Sequence, residues 1–107
     1  MKIKVIERLD LGDIVTFTPN KDIPRYNWFY FKEGYSREFV MTMFKKFRVD
    51  TESWVLDPFM GSGTTLLACR EKGVNGIGID ISPLFYMITE VKIRDYDINK
   101  LNMYSEK

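Results

Sequence analysis

The sequence contains no histidine and only one cysteine, Cys69. Without histidine, it lacks the most common general base and the most common metal ligand. A single cysteine excludes an internal disulfide and is typical of a reducing compartment. The sequence also has no run of about 18 apolar residues and no signal-peptide pattern. We therefore expect a soluble, cytoplasmic protein with neither a metal site nor a membrane segment.

The most informative stretch that is present lies between a short apolar strand and an apolar helix. It runs from Asp57 to Thr65, follows the predicted strand Ser53–Leu56, and precedes the apolar run Leu66–Cys69. Its glycines allow a tight turn, and the unpaired first N–H groups of the helix favour an anionic ligand. About twenty residues further on, Gly76–Asp80 predicts a second strand ending in an acid, the position that binds ribose hydroxyls in nucleotide-binding βαβ units.

Spacing excludes two common glycine-loop motifs. A Walker loop requires a lysine directly after its second glycine, but no lysine occurs between Lys46 and Lys72. A dinucleotide-binding fingerprint requires a third glycine where this sequence has Leu66. Neither of these phosphate-binding loops is therefore present.

The stretch Asp57–Thr65 instead resembles the S-adenosylmethionine loop of the amino-group DNA methyltransferases, which act on adenine N6 or cytosine N4. It fits the family pattern Asp-Pro-Phe-x-Gly-Ser-Gly-Thr-Thr at every specified position, and Gly78–Pro83 resembles the second cofactor motif. The resemblance covers residues 26–94 and implies a Rossmann-like α/β fold that binds S-adenosylmethionine. The alternative is an ordinary strand–turn–helix with a glycine turn.

Loop chemistry and the resemblance together indicate how the cofactor would be held. The methionine carboxylate fits the N–H groups around Gly61, Gly63 and Thr64, and the ribose diol fits Asp80. By resemblance, Ile81 lies against the adenine. The alternative role for Asp80 is to cap the next helix. The full candidate set is Asn27, Trp28, Asp57, Pro58, Phe59, Gly61, Ser62, Gly63, Thr64, Asp80, Ile81 and Ser82.

Asp57 and Phe59 stand at the mouth of the first strand, where a carboxylate and a ring face favour the positive groups of the cofactor. Asp57 alternatively only caps the loop. Tyr26–Phe31 holds five aromatic residues and either covers the core, meets a partner chain, or closes over the methionine part of the cofactor. Family members carry a cofactor-contacting segment just upstream of the loop. Asn27, Trp28 and the turn at residues 34–36 are the candidates for that role.

The family's catalytic motif, Asp/Asn/Ser-Pro-Pro-Tyr/Phe/Trp, is absent, because no two of the four prolines are adjacent. In the family this motif holds the target amino group and stacks on the extruded base. We therefore predict a truncated or split enzyme whose catalytic motif lies on a missing segment or another polypeptide, and which is inactive as this chain alone. The alternatives are an RNA methyltransferase relative and a non-catalytic module that binds cofactor or partner.

At 107 residues, we predict one partial methyltransferase domain. Residues 1–34 form a hairpin and an aromatic lead-in, 35–94 a helix and a βαβα cofactor unit, and 95–107 a polar tail. The hairpin strands are Lys2–Ile6 and Ile14–Phe17. Expected partners are DNA and either a second polypeptide or a second copy in a homodimer. Basic residues at 21–48 face phosphate or are simply solvated.

Overall fold

The computed structural model describes residues 1–105. Its strands are Trp54–Asp57 (β1) and Asn75–Gly78 (β2). Its α-helices are Arg37–Lys46 (α1), Thr64–Lys72 (α2), Pro83–Ile93 (α3) and Ile98–Ser105 (α4). Short 3-10 helices occupy Leu9–Leu11, Thr18–Asp22 and Tyr26–Trp28. None of the helices within residues 1–105 has the length and hydrophobicity needed to cross a membrane.

β1 and β2 form a parallel pair connected by α2, so the predicted βαβα order is confirmed. The face that carries Gly76 and Gly78 lies directly under α2. A Cβ at Gly78 would lie 2.6 Å from Leu66 Cδ1, so the missing side chains let the helix approach the sheet closely. The opposite face carries Trp54, Leu56 and Ile77, whose side chains are 69%, 61% and 48% exposed.

The core lies between α1, α2 and the sheet. Its buried members are Val40, Phe44, Ala68, Cys69 and Val74. Cys69 therefore packs as a small apolar side chain, and burial raises the pKa of its thiol to about 11.

Local signals place the ends of the helices. Ser36 caps α1 by accepting a hydrogen bond from Phe39 N at 3.2 Å, and Ser82 caps α3 in the same way. Pro83 occupies the first turn of α3. Gly73, at a φ of +67°, ends α2.

The predicted N-terminal hairpin is wrong. Residues 1–8 form no strand, and Ile3, Val5 and Ile6 are exposed. Gly12 adopts a right-handed helical conformation at the end of a 3-10 turn, which does not reverse the chain as a hairpin turn would. The reason is that an alternating pattern forms a strand only against a surface that buries it, and an isolated hairpin is marginal in water. The carbonyl of Ile14 instead accepts hydrogen bonds from the backbone and hydroxyl of Ser36.

The polar tail forms α4 as far as Ser105. The last two residues of the predicted tail, 106 and 107, lie outside the described residues. The division of the chain at residues 34 and 94 stays a prediction.

Candidate functional site

The glycine-containing loop lies where both strands end. Beyond the last paired residues, Ile79 N donates to Asp57 O at 2.9 Å and Met60 N donates to Ile79 O at 3.0 Å. These two bonds extend the pairing and hold the segment after β1 beside the segment after β2. The carboxyl ends of parallel strands are where open α/β sheets bind ligands.

Two glycines and α3 determine the shape of the loop. Gly61 and Gly63 have φ angles of +51° and +85°, which side chains rarely tolerate. A Cβ at Gly63 would lie 2.6 Å from Thr89 Oγ1. The Thr89 hydroxyl also donates to Gly61 O at 3.1 Å, so α3 supports the turn from behind.

Asp80 connects the two motifs that the sequence singled out. Its Oδ2 accepts from Gly61 N at 3.0 Å, and its Oδ1 accepts from Ser82 N at 2.8 Å. The acid after β2 therefore lies against the glycine turn after β1. The bond to Ser82 N also gives Asp80 part of the alternative role, because it stabilises the turn that enters α3.

Asp57 is buried and held from two sides. Its Oδ2 accepts from the Tyr35 hydroxyl at 2.7 Å, and its Oδ1 accepts from Phe59 N at 3.1 Å. The Thr65 hydroxyl contacts the same phenol oxygen. Burial, aided by the Asp57 carboxylate, raises the pKa of the Tyr35 phenol well above its usual value. The phenol therefore stays protonated and remains a hydrogen-bond donor.

Some of the other loop candidates are exposed to solvent and some are buried. Phe59 is 85% exposed and Ile81 is fully exposed, so both offer apolar surface beside the strand ends. Pro58 is also exposed. Ser62 and Thr64 are buried, and Thr64 Oγ1 accepts a long hydrogen bond from Asn20 at 3.5 Å.

The structure places Asn27 and Trp28 away from these residues. Asn27 donates to Lys21 O, and Trp28 packs edge-on against Tyr96, which follows α3. Arg25 causes this placement, since its guanidinium donates to the carbonyls of Lys92 and Arg94 at the end of α3. The start of the aromatic lead-in is thereby anchored to the far end of that helix.

Two residues near the loop were missed by sequence reasoning. Phe31 contacts the turn, since a Cβ at Gly61 would lie 3.0 Å from Phe31 Cε1. Asn20 is fully buried, where it accepts from Arg37 N at 2.8 Å and donates to Tyr35 O at 3.0 Å. The aromatic run pointed to the neighbourhood of Phe31. Asn20 had no signal, because Pro-Asn-Lys resembles any turn.

The basic residues of 21–48 do not form one free surface. Arg37 is paired with Glu71, and Arg25 is engaged by backbone carbonyls and by the rings of Trp28 and Tyr96. The exposed cations of this range are Lys21, which lies over the Tyr30 ring, and Lys32, Lys45, Lys46 and Arg48. Within residues 1–105, no cluster of three or more His, Cys, Asp or Glu side chains is arranged to hold a metal ion.

Comparison with known proteins decides the family. A family model described as DNA methylase, of the N6/N4 type, matches residues 41–91, a range that includes the glycine turn, Asp80 and Thr89. The chain belongs to this family. The curated relatives named below are methyltransferases.

The curated relatives of this chain are much longer than the chain itself. Over 91 residues the chain is 38% identical to the Type II methyltransferase M.BsoBI of Geobacillus stearothermophilus. The aligned part is 83% of this chain and 18% of that protein. Over 79 residues it is 38% identical to the Type II methyltransferase M.AvaI of Nostoc sp., and the aligned part is 74% of this chain and 16% of that protein. Over 47 residues it is 64% identical to the Type II methyltransferase M.MjaII of Methanocaldococcus jannaschii, and the aligned part is 44% of this chain and 9% of that protein. The matched part is thus less than a fifth of each relative. No solved structure matches the chain.

Proposed function

We propose that the chain is the cofactor-binding part of an S-adenosylmethionine-dependent DNA methyltransferase that acts on adenine N6 or cytosine N4. One observation carries this proposal: the carboxylate of Asp80 lies 3.0 Å from the backbone nitrogen of Gly61. The acid that we assign to the ribose and the glycine turn before α2 therefore lie together at the carboxyl edge of a parallel sheet, within the range of the family match. We further propose that the fold is the Rossmann-like fold of such enzymes.

The chemistry of the residues present fits S-adenosylmethionine. The first N–H groups of α2, around Thr64, suit the methionine carboxylate, whereas Gly61 N and Gly63 N already donate to Asp80 Oδ2 and Met60 O. Asp80 suits the ribose diol, and the fully exposed side chain of Ile81 suits the adenine face. Asp57 and Phe59 suit the positive ammonium and sulfonium groups. When bound, the cofactor supplies an electrophilic methyl group, and the role of this chain is to bind and orient it.

Methyl transfer requires more than this chain, in our proposal. The sequence lacks the Pro-Pro motif that holds the target amino group. One face of the sheet also leaves Trp54, Leu56 and Ile77 exposed, whereas parallel sheets are normally covered on both faces. The partner is a second polypeptide or segment that carries the catalytic motif, and DNA is the substrate of the complete enzyme.

Asp80→Ala tests the cofactor site. We expect this change to weaken binding of S-adenosylmethionine at least about tenfold, because a charged hydrogen-bond site is worth about 1.5–3 kcal/mol and about 1.4 kcal/mol is tenfold. Asp97→Ala is the matched control, since Asp97 also accepts two backbone N–H bonds, at the start of α4. Calorimetry in which Asp80→Ala and Asp97→Ala bind equally well would remove Asp80 from the site.

The pure chain is expected to transfer no methyl group to duplex DNA, because it lacks the residues that hold an extruded base. The assay is incorporation of labelled methyl from S-adenosylmethionine into DNA, with a complete methyltransferase as the positive control. Clear incorporation by the purified chain would contradict the need for a complementing part.

A further inference from the structure

The hydroxyl of Tyr35 joins three elements around the loop. Tyr35 belongs to the turn before α1, and its hydroxyl donates to Asp57 Oδ2 at the end of β1 at 2.7 Å. The same oxygen contacts Thr65 Oγ1 in the first turn of α2. The phenol is thus a single bridge between the segment just before α1, the strand end and the helix that follows the loop.

This bridge determines the orientation of a carboxylate. With Tyr35 on Oδ2 and Phe59 N on Oδ1, each oxygen of Asp57 has its own donor, so rotation of the carboxyl group is restricted. Charge-assisted hydrogen bonds of this kind are stronger than neutral ones. Asp57 is only 9% exposed, which limits the competition from water.

Tyr35 is itself held at both ends. Its carbonyl accepts from Asn20 Nδ2 at 3.0 Å, and its ring packs against Phe39 with the centroids 5.4 Å apart. Asn20 is fully buried and also accepts from Arg37 N, the first residue of α1. The phenol therefore reaches Asp57 from a fixed position, and its ordering is complete before any ligand arrives.

We propose that Tyr35 is a positioning residue of the cofactor site, whose hydroxyl holds the Asp57 carboxylate in place for the positively charged methionine end of the cofactor. This role rests on the proposed function, in which Asp57 faces that end. It assigns a defined task to one residue of the segment just before α1, and it gives that segment a part in selecting the methionine end of the ligand.

The chain offers a matched control for removing this hydroxyl. The Tyr26 hydroxyl also donates a hydrogen bond to a carboxylate, that of Glu71 on α2, with 2.9 Å between the hydroxyl oxygen and Oε2. Burial raises the pKa of the Tyr26 phenol in the same direction as that of Tyr35. Glu71 lies in the last turn of α2, whereas Asp57 precedes the loop. Tyr26→Phe and Tyr35→Phe therefore remove equivalent bonds at opposite ends of α2.

The decisive experiment measures the affinity of both variants for two ligands, S-adenosylmethionine and adenosine. Adenosine retains the ribose and adenine and lacks the methionine part. For Tyr35→Phe we expect affinity for S-adenosylmethionine to fall about five- to tenfold and affinity for adenosine to stay unchanged, because only the methionine end meets Asp57. Tyr26→Phe is expected to change neither affinity. Thermal melting of each variant records any loss of stability.

Three results would count against the role of Tyr35. Equal weakening of both ligands would show that the hydroxyl only supports the fold, and unchanged affinity for S-adenosylmethionine would show that it does not act on the site. A wild-type chain that binds neither ligand would refute the proposed function, and the role of Tyr35 with it.

A double-mutant cycle separates action through Asp57 from a direct effect. In an Asp57→Asn chain, adding Tyr35→Phe is expected to cause no further loss of affinity for S-adenosylmethionine, because the group that Tyr35 positions has lost its charge. If the double variant loses as much binding free energy as the two single variants together, Tyr35 does not act through Asp57, and the proposal is overturned.

Discussion

At the scale of single residues, Lys92 on α3 is the least expected side chain of the interior. It is 1% exposed, and its amine donates only a long hydrogen bond, 3.5 Å, to the carbonyl of Tyr26. Burial lowers the pKa of this amine from 10.5 to about 8. Between these two values the unfolded chain binds more protons than the folded chain. The free energy of unfolding therefore rises as the pH rises from about 8 to 10.5.

Lys92→Met is expected to stabilise the protein. It replaces a buried amine by an apolar side chain of similar length, and we expect the free energy of unfolding at pH 7 to rise by about 2 kcal/mol. The variant should also lose the increase in stability between pH 8 and 10.5. Urea unfolding across this range measures both effects, with Lys100→Met on the exposed surface of α4 as the control. A less stable Lys92→Met chain at pH 7 would show that the amine is needed by the fold.

At the scale of elements, the junction of loop and α2 depends on a glycine that has no room for a side chain. Gly63 has a φ of +85°, and a Cβ there would lie 2.6 Å from Thr89 Oγ1. We therefore expect Gly63→Ala to lower the free energy of unfolding by about 2–4 kcal/mol. Gly73, at the other end of α2, also has a positive φ, +67°, but a Cβ there would lie 3.9 Å from Thr51 Cγ2, an ordinary contact distance. Gly73→Ala should lower the free energy of unfolding by only about 1–2 kcal/mol, because it adds backbone strain without a steric clash. Urea unfolding compares the two variants, and equal losses would mean that contact with Thr89 costs nothing.

The elements that the sequence predicted well are those with signals in their own residues. The sequence predicts a helix from about Thr64 to Lys72 that stops at Gly73, and a second helix that starts with a Ser82 cap and Pro83; α2 and α3 confirm both. A cap or a terminal glycine acts within one helical turn, so a short stretch of sequence suffices to find it.

The N-terminal segment was not predictable in this way, because its shape depends on distant residues. Ile14 is engaged by the cap of α1, and Arg25 is anchored at the end of α3. These contacts turn the predicted hairpin into 3-10 turns and carry Asn27 and Trp28 away from the loop. Of the predicted site, the loop and Asp80 come together because a strand–helix–strand unit forces their meeting. The part played by Phe31 requires knowledge of the tertiary structure.

At the scale of the whole molecule, the exposed sheet face is expected to drive self-association. Trp54, Leu56 and Ile77 form an apolar surface of a kind that soluble monomers rarely leave uncovered. We predict a homodimer in the purified protein, with a second copy covering the face that a complementing part would cover in a complete enzyme. Light scattering coupled to size exclusion at low micromolar concentration should give twice the 12.7 kDa of one chain.

Lysine substitution locates the dimer contact. Leu56→Lys combined with Ile77→Lys places two charges on the exposed face and should restore the monomer mass, while Leu101→Lys on α4, a similarly exposed leucine, should leave the dimer intact. A wild-type mass near 12.7 kDa would contradict the prediction.

The contact between Thr89 and the glycine turn has a consequence for the order of events during synthesis. Gly61 and Thr89 are separated by 28 positions, and Asp80 reaches the same turn from 19 positions away. A growing chain that has left the ribosome only as far as Gly73 contains every residue of the loop and neither of its two supports. The glycine turn therefore acquires its final shape late, after α3 has emerged and docked, although its residues are translated early.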